Sequence, residues 1–251
     1  MIVKQIWTAN AYRNFNYLIA CSETGEALAI DPLDYEKCLR AAKEEGWNIA
    51  QILNTHEHRD HTGGNEAMVR QTGAKILAHK NARDKIADMA RGLGAGDVVK
   101  VGKTVELEAL DTPGHTMSHV CLLSHTNQPA LFCGDTLFNA GAGNCHNGGH
   151  PVELYKTFTE QLAKLPDSTL IYPGHDYMEN NLRFTLNREP DNKSAREMDE
   201  PAHFHAAQPR PSISIKTMYP TAVAIEFVYR SGPAVACDPP RCVSAPGKRG
   251  R

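Results

Sequence analysis

No stretch of this 251-residue chain approaches the ~18–20 consecutive apolar residues of a membrane span. Net charge is nearly absent too, at −2. Bulk attraction to nucleic acid is therefore not indicated, and neither a basic groove nor an appended nucleic-acid module is visible. No C-x-x-C pair occurs among the seven cysteines, which excludes a zinc ribbon and a thioredoxin-type redox site. Cys21, Cys38, Cys121 and Cys133 instead lie in apolar segments, where a reduced, buried thiol is the usual state. The opening residues, Met1 to Trp7, lack the basic, apolar and small-residue order of a signal peptide. They read as a first strand, and a cytoplasmic protein is the default expectation.

What is present is the balance of an ordinary globular domain, 41% hydrophobic and 22% charged. Phe15–Cys21 and Glu26–Asp31 read as a hairpin around Thr24-Gly25. Tyr35–Trp47 carries Tyr35, Cys38, Leu39 and Ala42 on one helical stripe. Strands at 49–54 and 74–79 flank a helix from Asn65 to Gln71, a βαβ unit that makes part of the sheet parallel. A helix is expected over Asn81–Arg91. Hairpins follow at 97–110 and 119–134, then helices at Pro151–Leu165 and Asp176–Asn187. Two β-rich halves with outer helices point to a sheet-on-sheet sandwich.

The character changes near Pro190, since nine of the fifteen prolines lie there or later. Residues 1–192 are expected to form the working domain and 193–251 a divergent, partly disordered segment. Across that boundary Asp191–Pro201 reads as a linker, and beyond it Ala222–Tyr229 reads as a strand and Cys237–Arg251 as disordered.

The chemistry is concentrated in His56-Glu57-His58-Arg59-Asp60-His61. Three imidazoles and a carboxylate in six residues are the donor set of a divalent transition metal. Ile49–Asn54 before it reads as a buried strand, so the donors sit on a strand-end loop. Glu57 and Arg59 occupy intervening positions and read as structural or solvent-facing. Three more apolar runs end alike: Leu107–Thr112 before His115, Ala130–Gly134 before Asp135, and Thr169–Tyr172 before His175. Each of these residues alone is an ordinary loop residue; their recurrence is not. Five histidines and two aspartates exceed what one catalytic ion takes, and suit two ions about 3.5–4 Å apart that share a carboxylate. With no cysteine among the donors, zinc, iron and manganese all fit, and zinc is favoured. Asp31, before Pro32, is either a turn residue or a hydrogen-bond partner of a metal ligand.

Thr55-His56-Glu57-His58-Arg59-Asp60-His61 resembles the T-H-x-H-x-D-H signature of the metallo-β-lactamase superfamily. Gly114-His115-Thr116-Met117-Ser118-His119, Gly134-Asp135-Thr136-Leu137-Phe138 and Pro173-Gly174-His175-Asp176-Tyr177 resemble motifs of its glyoxalase II branch, the hydroxyacylglutathione hydrolases. The resemblance implies a four-layer α/β/β/α sandwich of two mixed sheets with outer helices. It also implies the metal split: His56, His58 and His115 on one ion, Asp60, His61 and His175 on the other, with Asp135 bridging. The implied activity is hydrolysis of a small thioester, S-lactoylglutathione or a related hydroxyacylglutathione, by attack of a hydroxide that bridges the ions. Asp60 would orient that hydroxide and take its proton. Tyr177 matches a glutathione-contacting position. Asn144 and Cys145 stand where many such enzymes carry a basic residue and an aromatic, so they are candidate substrate contacts of altered chemistry. Alternatives within the same superfamily are a mononuclear iron persulfide dioxygenase, needing only His56, His115 and Asp135, and a lactone or β-lactam hydrolase.

Overall fold

The alternation of apolar residues along the strands decides the architecture. In β2 (Phe15–Ala20), Phe15, Tyr17 and Ile19 face one side while Leu18 and Ala20 face the other. The computed structural model, which describes residues 1–199 and 213–214, shows where each side goes. β2 lies in a mixed sheet with β1 (Ile2–Trp7), β3 (Glu26–Ile30), β4 (Asn48–Leu53), β5 (Lys75–His79) and β6 (Met89–Leu93), in that order. β1 to β3 are antiparallel, and β3 to β6 are parallel. A second sheet is built from β7 (Val98–Val101), β8 (Val105–Asp111), β9 (Val120–Ser124), β10 (Ala130–Gly134), β13 (Leu170–Pro173) and β14 (Ile213–Ser214). Its only parallel pair among the described residues is β10–β13. A small ribbon of β11 (Leu137–Phe138) and β12 (Gly141–Ala142) lies beside it.

Between the sheets, Phe15, Tyr17, Ile19, Leu28, Ile30 and Leu53 meet Val99, Leu107, Leu122 and Phe132. The opposite face of the first sheet, including Leu18, Ala29 and Ile52, packs on α1 (Tyr35–Glu45) and α3 (Asn65–Thr72). The outer face of the second sheet, including Cys121, Leu131 and Ile171, packs on Leu154 of α4 (Pro151–Lys156) and on Phe158 and Leu162 just beyond it. Helix, sheet, sheet, helix is thus the layer order. α1 has clear ends: Asp34 accepts from Lys37 N at 3.1 Å, and Gly46 closes it at φ 70°.

Three segments differ from the sequence expectation. Residues 81–91 are not a helix: a 3₁₀ turn at Lys80–Ala82 leads through Asp88, at φ 55°, into β6. Ala82, Ile86 and Met89 are buried at helical spacing, which imitates amphipathicity, but Met89 pairs with Ile76 and extends the parallel sheet. The helix from Pro151 widens into a π turn at Thr157–Gln161 and ends as 3₁₀. That widened turn hands Thr157 Oγ1 to the Pro113 carbonyl (2.7 Å) and Gln161 Nε2 to the Asp111 carbonyl (2.7 Å). The linker expected from Asp191 contains α6 (Lys193–Met198), capped by Asn192, whose Oδ1 accepts from Ala195 N at 3.0 Å. Its Ala195 and Met198 pack on Met178 and Leu182 of α5 (Met178–Arg188). β14 pairs with β13. The strand expected at 222–229 and the disorder expected from Cys237 lie outside the described residues.

Phe132 is fully buried between Tyr17 and Tyr172, stacking on the latter at 4.7 Å. Phe132→Ala is expected to lower unfolding stability by about 3–5 kcal/mol in denaturant titration.

Candidate metal centre

All the donor-bearing loops leave the sandwich at one rim. β3 runs into Asp31 and β4 into residues 54–61, where α2 (Arg59–Thr62) begins directly after His58. β8, β10 and β13 run into His115, Asp135 and His175. The seven residues come together. His58 Nδ1 lies 3.1 Å from both His56 Nε2 and His115 Nε2, so these three form one trio. His61 Nε2 lies 3.2 Å from His175 Nε2, and Asp60 Oδ2 lies 3.6 and 3.4 Å from those nitrogens, forming a second. Asp135 spans both. Its Oδ1 is 3.3 Å from His61 Nε2, and its Oδ2 is 3.2 Å from His175 Nε2 and 3.6 Å from His115 Nε2.

Each imidazole is oriented through its other nitrogen. His115 Nδ1 donates to the Asn144 carbonyl (2.6 Å), His175 Nδ1 to the Tyr12 carbonyl (2.7 Å) and His58 Nε2 to the Asn147 carbonyl (3.0 Å). His61 Nδ1 donates to Asp31 Oδ2 at 2.9 Å. Asp31 Oδ2 also takes the Thr55 hydroxyl proton at 2.7 Å, leaving Thr55 Oγ1 to accept from His56 Nδ1 at 3.0 Å. Every proton is thereby drawn outward, and the remaining lone pair of each ring points inward.

That arrangement is the test of fit for a metal. Lone pairs facing one another at about 3.1 Å repel unless a cation lies between them. Asp135 Oδ1 is buried without a hydrogen-bond partner, an acceptor in want of a positive charge. Burial holds His56 well below the usual imidazole range and pushes His115 down as well, so both present neutral donors. For His61, burial works in the same direction, but the Asp135 and Asp31 carboxylates outweigh it and favour a positive charge there. Burial would raise Asp135, yet His175 and His61 hold it well below the ordinary carboxylate range. The His/Asp cluster fits a divalent metal, and the carboxylates that favour a proton on His61 equally favour a cation in its place.

Close packing leaves no slack around the donors. A Cβ on Gly174 would meet Asp135 Oδ1 and His61, and one on Gly134, already at φ 45°, would meet Thr55 and His119. His119 stacks on His56 at 5.2 Å, its Nδ1 2.9 Å from Thr112 Oγ1 and 3.1 Å from Thr136 Oγ1. Sequence reasoning assigned no role to His119, Thr55 or Asn14, whose Nδ2 donates to the Asp60 carbonyl at 3.1 Å and faces Asp60 Oδ2 at 3.4 Å. The Tyr12, Asn144 and Asn147 carbonyls were beyond its reach, because a backbone carbonyl has no residue-type signal.

Of the candidate substrate contacts, Tyr177 is half-buried and stacks on His175 at 4.8 Å and 7°, edge-on to Phe138 at 5.2 Å. Asn144 acts on the centre through its carbonyl, while its side-chain Oδ1 accepts from His146 N at 3.0 Å. Cys145 packs beside the outer core of the second sheet, and burial pushes its thiol up to about 11.

Two outcomes follow for metal uptake, both read by competition against a chromophoric chelator. Asp31→Ala is expected to weaken metal affinity about 10–100-fold, since it frees His61 and Thr55 together. Affinity is also expected to fall between about pH 8 and about pH 5.5, because protons compete for the inward lone pairs and the raised His61 gains its proton first. Affinity independent of pH over that interval would contradict histidine ligation.

Residues 17–175 match the sequence model of the metallo-beta-lactamase superfamily. A hydroxyacylglutathione hydrolase of Polaromonas sp. strain JS666 is 72% identical over 196 residues, covering 78% of this chain and 74% of the relative. One from Nitrosococcus oceani is 71% identical over 195 residues, with the same coverage of each chain. Among solved structures, the crystal structure of ETHE1 from Myxococcus xanthus superposes with a TM-score of 0.65 at 29% identity, over 84% of this chain and 93% of that one. Its identity is far lower than that of the two hydrolases, and the histidine-rich rim lies within the matched span; the chain belongs to the metallo-beta-lactamase superfamily and, within it, to the hydroxyacylglutathione hydrolase family.

Proposed function

We propose that this protein hydrolyses the thioester of a hydroxyacylglutathione, S-lactoylglutathione first among them, using two divalent cations, with zinc the favoured metal. The observation that carries the reading is Asp135, a buried carboxylate within 3.6 Å of ligand nitrogens from both trios. A single carboxylate reaching two sets of three donors suits a shared pair of cations. On this reading His56, His58 and His115 hold one and Asp60, His61 and His175 the other, all within residues 1–192. When bound, such cations supply a water that loses its proton near neutral pH and positive charge against a developing oxyanion.

The rest falls to the chain. Asp60 is the acceptor for the proton of the attacking water. Its carboxylate is a quarter exposed, so it can pass that proton to solvent, and Asn14 holds its backbone and faces Oδ2. The departing thiolate, whose conjugate acid has a pKa of about 8.5, leaves without a general acid. Tyr177 and Phe138 form an aromatic wall beside His175 against which a thioester carrier can lie. On the His115 side Asn144 holds the ring through its carbonyl, and Asn144 and Cys145 are the substrate contacts proposed there. With no basic side chain at 144 or 145, an anionic glutathione moiety is drawn chiefly by the metal charge. No helix among the described residues is long and apolar enough to cross a membrane.

A panel of thioesters, lactones and β-lactams assayed on one preparation with elemental analysis tests the reading. Two metals per chain and a preference for hydroxyacylglutathione are expected. Asp135→Ala is expected to lower kcat/KM by ~100-fold or more and to reduce metal content. Full activity in that variant, fewer than one metal per chain, or oxygen uptake with glutathione persulfide in place of hydrolysis would each overturn it.

A further inference from the structure

Glu57 stands between two metal-ligand candidates, His56 and His58, and it does not face solvent: its side chain is 11% exposed. Its Oε2 accepts from Thr116 Oγ1 at 2.9 Å, and its Oε1 pairs with Lys85 Nζ. Thr116 is fully buried and directly follows His115. One hydrogen bond therefore joins the residue before His58 to the residue after His115, two ligands that come from different sheets and whose nitrogens stand 3.1 Å apart. The clamp has a third arm. Lys85 Nζ also donates to Ser118 Oγ at 3.2 Å, and Ser118 Oγ donates to the Asn81 carbonyl at 3.3 Å. Ser118 N in turn donates to Thr116 Oγ1 at 3.3 Å. Residues 57, 81, 85, 116 and 118 thus knit three loops beneath one side of the centre.

We infer that Glu57 is a positioning residue for the first trio, holding His58 and His115 at the separation that a single cation requires. No comparable link from Glu57 to the Asp60, His61 and His175 trio is present among the described residues. The effect is therefore confined to one half of the centre. A clamp of this kind matters because a metal site loses affinity when its ligands must be gathered from scattered positions. The inference rests on the binuclear reading only in naming which of two cations responds.

The test is a stepwise Zn²⁺ titration of the metal-free protein against a chromophoric chelator, alongside its thermal unfolding. Glu57→Ala and Thr116→Val are each expected to weaken one of the two binding constants about 10–100-fold and leave the other within about twofold. Glu57→Gln keeps an oxygen for Thr116 and is expected to recover most of the loss, which a purely electrostatic role would not allow. Unchanged constants in Glu57→Ala would overturn the inference. So would a parallel fall of both constants in step with Tm, since that marks general destabilisation. If the wild-type protein takes up one cation, the binuclear reading fails, while the change in that one constant still decides the role of Glu57.

Discussion

The centre depends on one buried carboxylate. Asp31 takes the Thr55 amide proton on Oδ1 at 2.8 Å and both the Thr55 hydroxyl and the His61 Nδ1 proton on Oδ2. Through those bonds it fixes the ring of His61 directly and that of His56 by way of Thr55. Removing a carboxylate from water costs several kcal/mol, and three donors are what makes that placement tolerable. The backbone there is also strained, at φ 47°. Aspartate adopts this region more readily than most residues, and the turn is held by Asn16 Nδ2 and Leu33 N, which both donate to the Asp31 carbonyl. The end of β3 is thus built around the orientation of two candidate ligands, His56 and His61, that follow the neighbouring strand.

The two sheets divide the remaining work. The first contributes Asp31 and the run from His56 to His61; the second contributes His115, Asp135 and His175. The gap between them is bridged by two loops, which act mostly through backbone carbonyls. Residues 12–14 place the Tyr12 carbonyl on His175 and the Asn14 side-chain amide on Asp60, while residues 144–147 place carbonyls on His115 and His58. Because the Asn147 carbonyl takes His58 Nε2, His58 offers Nδ1 inward, whereas the other four histidines offer Nε2. The packed interior beneath, from Phe15 to Phe132, supplies the stiffness that lets such loops hold donors to within fractions of an ångström.

How much of this could be read in advance follows from how local each signal is. The run from His56 to His61 is legible because its donors are adjacent in the chain, and the strand-then-donor pattern carries His115, Asp135 and His175. The sandwich is legible because a strand exposes its two faces in alternation, as Phe15, Tyr17 and Ile19 do against Leu18 and Ala20. Residues 81–91 misled because Ala82, Ile86 and Met89 are spaced as on a helix, while a 3₁₀ turn takes up Ala82 and pairing with β5 fixes the chain from Met89. Asp31 was readable only as a choice between turn and ligand partner; it is both, since the strained turn is what aims the carboxylate. Glu57 looked peripheral because its partners, Lys85 and Thr116, lie 28 and 59 residues away.

The charge arithmetic of the centre ties these features to its chemistry. Asp31, Asp60 and Asp135 bring three negative charges to one rim, while burial keeps His56 and His115 neutral. Without cations the rim holds an uncompensated negative field, which is why His61 is driven toward protonation. A divalent cation held by the cluster opposes that field and offers positive charge where an oxygen gains charge during thioester cleavage. Placing Asp31 behind the imidazoles lets it orient them and strengthen their lone pairs while remaining a step removed from the reacting atoms. The same separation explains why the clamp at Glu57 is neutralised by Lys85: a further bare carboxylate next to His56 and His58 would draw a cation away from the place where the three nitrogens converge.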